Sequence, residues 1–297
     1  MKYLSIIAAF ALLFVIGCSD DDDNNMTGPT ASEITLNILG LEDLGTNARY
    51  EGWLIVNGTP VTTGKFTVNS SGELSETMFP VNQTDIMNAS AFVLTVEPHP
   101  DNDPAPSDVH ILAGDFSGNN ATLTLSHGAA LGDDFSNSSG SYILATPTDG
   151  SNTNENSGIW FLDPSSGTPM AGLDLPTLPA GWMYEGWVVI DGIPVTTGKF
   201  TMADMADDSA PYSSTMAAPP FPGEDFLLNA PGNLTFPTDI SGGTAVISVE
   251  PEPDNSANPF LLKPLVGGIP DPAMDHTLYL MNLNLSSLPT GTAIRAY

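Results

Sequence analysis

Residues 50–67 read YEGWLIVNGTPVTTGKFT, and residues 184–201 read YEGWVVIDGIPVTTGKFT. Thirteen of the 18 positions are identical, and the differences are mostly swaps between Leu, Ile and Val or between Asn and Asp. Each copy has the pattern of a β-hairpin. An apolar run from Trp53 or Trp187 leads into Asn57-Gly58 or Asp191-Gly192. These pairs accept the positive φ that both central residues of a type I′ turn require. A returning strand then carries Val61 and Phe66, or Val195 and Phe200. With a two-residue turn, Glu51 is expected opposite Gly64 and beside Lys65, and Glu185 is expected near Lys199.

A second repeated stretch lies downstream: VLTVEPHPDN at 93–102 and VISVEPEPDN at 246–255. It reads as a strand whose ladder stops at Glu97-Pro98 or Glu250-Pro251, because proline has no N–H to donate. Continued without a gap, Gly114 aligns with Gly267. The first pair of motifs is offset by 134 residues and the second by 153, so the second copy holds 19 additional residues, placed within 202–243. Ser141–Ala145, Gly158–Leu162, Ala121–Leu125 and Thr277–Met281 read as further strands. Glycine (28) and proline (26) punctuate the chain, which has no long capped helical period after its first residues. The expected fold is all-β: two antiparallel, sandwich-like domains in tandem, 33–130 and 139–297, with no disulfide because the chain has a single cysteine.

That cysteine is informative. Lys2 precedes an apolar run from Tyr3 to Ile16, which is shorter than the ~20 residues of a spanning helix and has signal-peptide proportions. It ends in Val15-Ile16-Gly17-Cys18, similar to a lipobox. Residues 1–17 are expected to be removed and Cys18 lipidated. A tether of residues 18–32 follows, with Asp20 to Asp23 in a row, and resembles the acidic surface-export signal of Bacteroidota lipoproteins. The implied location is the outer membrane, exposed at the cell surface, with the membrane as a partner through lipid on Cys18.

The formal net charge is −29, with only six lysines and arginines. No stretch is basic enough to follow a phosphate backbone, so nucleic acid is not an expected partner. Two of the basic residues, Lys65 and Lys199, occupy one repeated position. Their expected role is an ion pair across the hairpin to Glu51 and Glu185, worth about 0.2–1 kcal/mol; an anion site at each lysine is the alternative. Tyr50 and Trp53, like Tyr184 and Trp187, fall on opposite faces of their strand. Core filling is expected for both, with an aromatic platform for a partner as the alternative.

The chain contains no catalytic motif of known spacing. His99, Asp101, Asp103, Asp108 and His110 could be drawn as a metal site, but the matching positions are Glu252, Asp254, Ser256, Leu261 and Lys263. A lysine replaces one proposed ligand, which favours a solvated Asx-type turn. Weak calcium binding by Asp101 and Asp103 is the remaining metal reading, and no other cofactor is expected.

The hairpin motif, the hydrophobic-T-V-E-P strand and the following P-x-x-x-x-x-L-x-G together resemble the extracytoplasmic C-terminal domain of anti-sigma-K factors. The similarity covers about 35–130 and 140–297. The family's Glu-Pro-Ala-Gly-Gly loop departs here to Glu-Pro-His-Pro-Asp-Asn and Glu-Pro-Glu-Pro-Asp-Asn, so a role for that loop does not carry over. The resemblance implies a sensing or binding module; the sigma-gripping segment and transmembrane helix of that family are not expected here. The expected function is therefore a non-enzymatic, lipid-anchored envelope protein that binds a protein or glycan. The alternatives are an acidic surface-coat component and a carboxylate-based hydrolase.

Overall fold

A computed structural model describes residues 32–150, 153–254 and 256–297. The expected signal peptide, Cys18 and the expected tether up to residue 31 lie outside the described residues. The fold is all-β: antiparallel strands dominate, and the α-helix Gln83–Asn88 is a single short turn-like element capped by Asn82.

In the first half the strands are β1 (Glu33–Leu39), β2 (Ala48–Val56), β3 (Thr59–Phe66), β4 (Met78–Pro80), β5 (Ala89–Pro98), β6 (His110–Ser117) and β7 (Asn120–Leu123). The second half contributes β8 (Ser139–Leu144), β9 (Gly158–Trp160), β10 (Trp182–Ile190), β11 (Ile193–Phe200), β12 (Gly223–Asp225), β13 (Thr244–Pro251), β14 (Leu262–Gly268) and β15 (Thr290–Ala296). Several two-residue strands lie between them.

The sequence repeat is a structural repeat. The order β3-β2-β5-β6 in one half matches β11-β10-β13-β14 in the other. Phe92 pairs with Gly114 as Ala245 pairs with Gly267, as the ungapped alignment requires. Both turns have the expected positive φ, with Asn57 at 52°, Gly58 at 79°, Asp191 at 50° and Gly192 at 80°. Pro60 and Pro194 sit in β3 and β11, which pair on one side only, so their missing N–H groups cost no ladder bond.

Each hairpin departs from the expected register through a bulge. Gly64 at φ 131° and Gly198 at φ 116° admit one extra residue, Thr63 or Thr197. Glu51 therefore lies directly opposite Lys65, not Gly64, and Glu185 opposite Lys199. Directly paired residues share a face, so the bulge places each lysine on the side of its glutamate.

The strand faces divide the chemistry. Tyr50, Leu54, Phe66, Phe92 and Leu94 enter a contiguous core that also includes Tyr184, Phe200, Ile247 and Val249. Tyr50 stacks on Phe66 at 5.5 Å, and Tyr184 on Phe200 at 5.6 Å. On the opposite face Trp53 packs with Val93, Ala113 and Ala130, the last from the segment after β7 that covers the sheet. All four repeated aromatics are buried, so none is a surface platform. Sheets covered on both sides bury their alternate residues on both faces.

One strand crosses from the second half of the chain to the first. Thr290–Ala296, expected in the second domain, crosses to the first half as β15 and lies between β1 and β7 in the eight-stranded sheet β3-β2-β5-β6-β7-β15-β1-β4. This strand supplies the ladder partners that β1 and β7 lack within residues 33–130. Arg295 fixes the crossing, donating to the carbonyls of Ile86 and Ala89 at 2.9 Å each and lying over the Phe116 ring. Between β11 and β13, the stretch expected to hold the additional residues is mostly turns, interrupted by β12, which pairs with β9.

Candidate carboxylate site

The bulged hairpin and the end of the next strand bring three carboxylates together in each copy. Glu51 comes from β2, Glu97 from the end of β5, and Asp101 from the loop after it. One carboxylate oxygen from each lies within 4.8 Å of the others. Glu185, Glu250 and Asp254 repeat the arrangement from β10, β13 and the following loop. The four glutamates are at most 5% exposed.

Neighbouring hydroxyls and amides satisfy most of these oxygens. Trp53 Nε1 donates to Thr95 Oγ1 at 2.9 Å, and Thr95 in turn donates to Glu97. Both Glu97 oxygens accept the Ser107 amide, at 3.0 and 3.1 Å. In the second copy Trp187 Nε1 donates to Ser248 Oγ at 2.8 Å, Ser248 donates to Glu250, and the Phe260 amide bonds both Glu250 oxygens at 2.8 and 3.1 Å. Thr62 donates to Glu51 and Thr196 to Glu185. Each Val-Glu-Pro glutamate thus ties its loop back onto the sheet through a charge-assisted bond.

The copies differ in their cations. Lys65 Nζ lies 3.3 Å from Glu51 Oε2 and 2.7 Å from Asp101 Oδ2. Its desolvation is outweighed by Asp101 and Glu51, which raise its pKa. Lys199 Nζ instead lies 2.7 Å from Glu252 Oε2, at the position that His99 fills in the first copy. No ion pair joins Lys199 to Glu185 among the described residues, and Glu185 Oε2 accepts no hydrogen bond. Burial, reinforced by Glu250 and Asp254, pushes the Glu185 carboxyl up to about 8, against the lowering effects of the Thr196 hydrogen bond and of the more distant Lys199 charge. Burial also pushes Glu250 up to about 7.

The sequence-based calcium pair is regrouped. Asp101 joins Glu51 and Glu97, whereas Asp103 Oδ1 caps the Ala105 amide at 2.9 Å. His110 Nδ1 lies 2.9 Å from the Ala129 carbonyl, in the segment that covers Trp53. Sequence reading missed Thr62, Thr95, Ser107 and their counterparts Thr196, Ser248 and Phe260. The one available signal was a hydroxyl residue kept two positions before each Val-Glu-Pro glutamate.

A second acidic group lies in the additional segment. Trp160 Nε1 donates to Asp225 Oδ1 at 2.9 Å, and the Thr148 amide to Asp225 Oδ2 at 2.8 Å. The Gly223 amide donates to Asp207 Oδ2 at 2.9 Å, and Ser213 donates to Glu224. Burial pushes Asp207 and Glu224 up to about 7 and also raises Asp225.

On the face of β10 opposite Glu185 there is an open cleft of about 250 Å³ beside Tyr184, lined by Leu173, Pro176, Met202 and Asp204 among others. The equivalent place beside Tyr50, lined by Leu44, Arg49, Thr67 and Val68 among others, has no room for a water molecule. Compared with known proteins, the chain matches no family model, no curated protein and no solved structure.

Proposed function

We propose that this is a non-enzymatic envelope lipoprotein whose repeated β-structure is an extracytoplasmic binding or sensing module, anti-sigma-factor-like in its motifs and held to the outer membrane by lipid on Cys18. The observation that carries this reading is the difference between the two copies beside their buried tyrosines. The cleft at Tyr184 is open, mixed apolar and acidic, and rimmed by the half-exposed Met202, while its counterpart at Tyr50 is closed. Duplication frees one copy to keep the scaffold while the other presents a concave surface. Methionine at the rim suits an adaptable contact. A volume of about 250 Å³ is small for a whole ligand. It suits one side chain or one sugar unit of a larger partner.

The test is capture of envelope glycans and proteins on the purified chain, comparing the native sequence with Ala203→Trp, which fills the cleft. A partner retained by the native chain and lost by the filled variant supports the reading. Retention of no partner, or a partner indifferent to the filling, counts against it. Cys18→Ser releases the protein from the membrane fraction if the anchor is as proposed.

A further inference from the structure

We propose that Glu185, Glu250 and Asp254 form a calcium-binding site, and that the equivalent group Glu51, Glu97 and Asp101 is balanced by the protein's own cation, the Lys65 ammonium. The two sites are the same construction with different fillings. In the first, Lys65 Nζ contacts Glu51 Oε2 at 3.3 Å and Asp101 Oδ2 at 2.7 Å. The positions that recur in the second copy therefore already hold a cation in the first. In the second, Glu185 is 5% exposed and its Oε2, the atom equivalent to the one Lys65 contacts, accepts no hydrogen bond. An orphaned carboxylate oxygen at that depth is costly unless a cation or a proton meets it.

The cause is visible in one position of the loop. His99 in the first copy gives Lys65 no carboxylate to bond, so the lysine reaches Asp101. Glu252 at the same position offers one and draws Lys199 to 2.7 Å. The lysine so diverted makes no close ion pair with any of the three carboxylates among the described residues. Their oxygens lie within 4.8 Å of one another, close enough to share one calcium ion, whose oxygen ligands sit at about 2.3–2.6 Å. Three carboxylates with no nitrogen or sulfur donor also select a hard divalent cation. Asp254 is only half-buried, which leaves a side for water to complete the coordination.

Calorimetric titration of the full chain with calcium chloride at pH 8, in 0.15 M salt to suppress diffuse binding by the acidic surface, tests the proposal. The expected result is a single saturable site. Glu185→Gln should weaken it by about 10-fold or more. Glu252→His, at an exposed residue outside the site, should also abolish it by returning Lys199 to the carboxylates. Glu51→Gln should leave it unchanged. Thermal melting checks that each variant is folded, and Glu252→His decides the matter if Glu185→Gln does not fold. Absence of a saturable site in the native chain overturns the proposal. Binding that survives Glu252→His, or that is lost equally in Glu51→Gln, also overturns it.

Discussion

Lys199 bonds Glu252, whereas Lys65, its counterpart in the repeat, bonds Asp101. Both distances are 2.7 Å, and both lysines stand on the same bulged strand opposite the same buried glutamate. Among the differences between the two following loops, His99 against Glu252 is the one that offers Lys199 a carboxylate. The consequences for stability and binding differ accordingly.

Removing the lysines should not cost the same. Lys65→Met leaves the buried Glu51 without its cation and is expected to destabilise the fold by about 1–2 kcal/mol at pH 7. Lys199→Met breaks a pair with a glutamate whose side chain is 41% exposed and is expected to cost under about 1 kcal/mol. Chemical denaturation of both variants checks the ranking, and equal losses would contradict it.

Stability should fall as the pH is raised from about 5 to 8 in the presence of a chelator. Burial lifts Glu185 to about 8, and Glu250, Asp207 and Glu224 to about 7, all above the unfolded range near 4. Across that window the folded protein holds protons that the unfolded chain has lost, so its stability declines with pH. Below about pH 4 the sign reverses for Asp101, Asp134 and Asp163, whose pKa values are lowered by hydrogen bonds. Scanning calorimetry should show the decline, flattened in Glu185→Gln and reversed at pH 8 by calcium.

Thr95→Val and Ser248→Ala should be matched in effect. Each removes the hydroxyl between a buried indole N–H and a buried glutamate. A loss of about 1–3 kcal/mol is expected for each, because both neighbours are left short of a partner. Urea midpoints at constant slope would measure it.

Arg295→Ala should loosen the first half although the residue lies at the end of the chain. It removes charge-assisted bonds to the Ile86 and Ala89 carbonyls and the stacking on Phe116. Hydrogen exchange should accelerate in β1, β7 and β15, with an overall cost of about 1–3 kcal/mol. Protection unchanged in β1 would show that β15 is held by its ladder alone.

Much of the fold was legible where the determinants are local. Asn57-Gly58 and Asp191-Gly192 announce their turns, and the ungapped downstream alignment gave the observed register of the next strands. The bulge was not legible, since Thr-Thr-Gly-Lys does not by itself state that glycine takes positive φ within a strand. The crossing of β15 was hidden because a long-range partner leaves no mark in a seven-residue alternation. Strand Thr277–Met281 reduces to Tyr279–Leu280, which pairs with β8, and a separate two-residue strand, Asn282–Leu283, follows and pairs with β14. Near the site, the lysine–glutamate proximity was readable from spacing. The burial of Glu97 and Glu250 was not, because a glutamate before proline reads as a solvated strand end until the loop amides of Ser107 and Phe260 fold back onto it.

The most direct measurement is anomalous diffraction from crystals grown at pH 8 with calcium. The expected result is a single strong peak about 2.3–2.6 Å from oxygens of Glu185, Glu250 and Asp254, with Lys65 Nζ and no peak between Glu51 and Asp101. A peak at the first group, or Lys199 lying against Glu185 with no peak beside it, would contradict the two-cation arrangement.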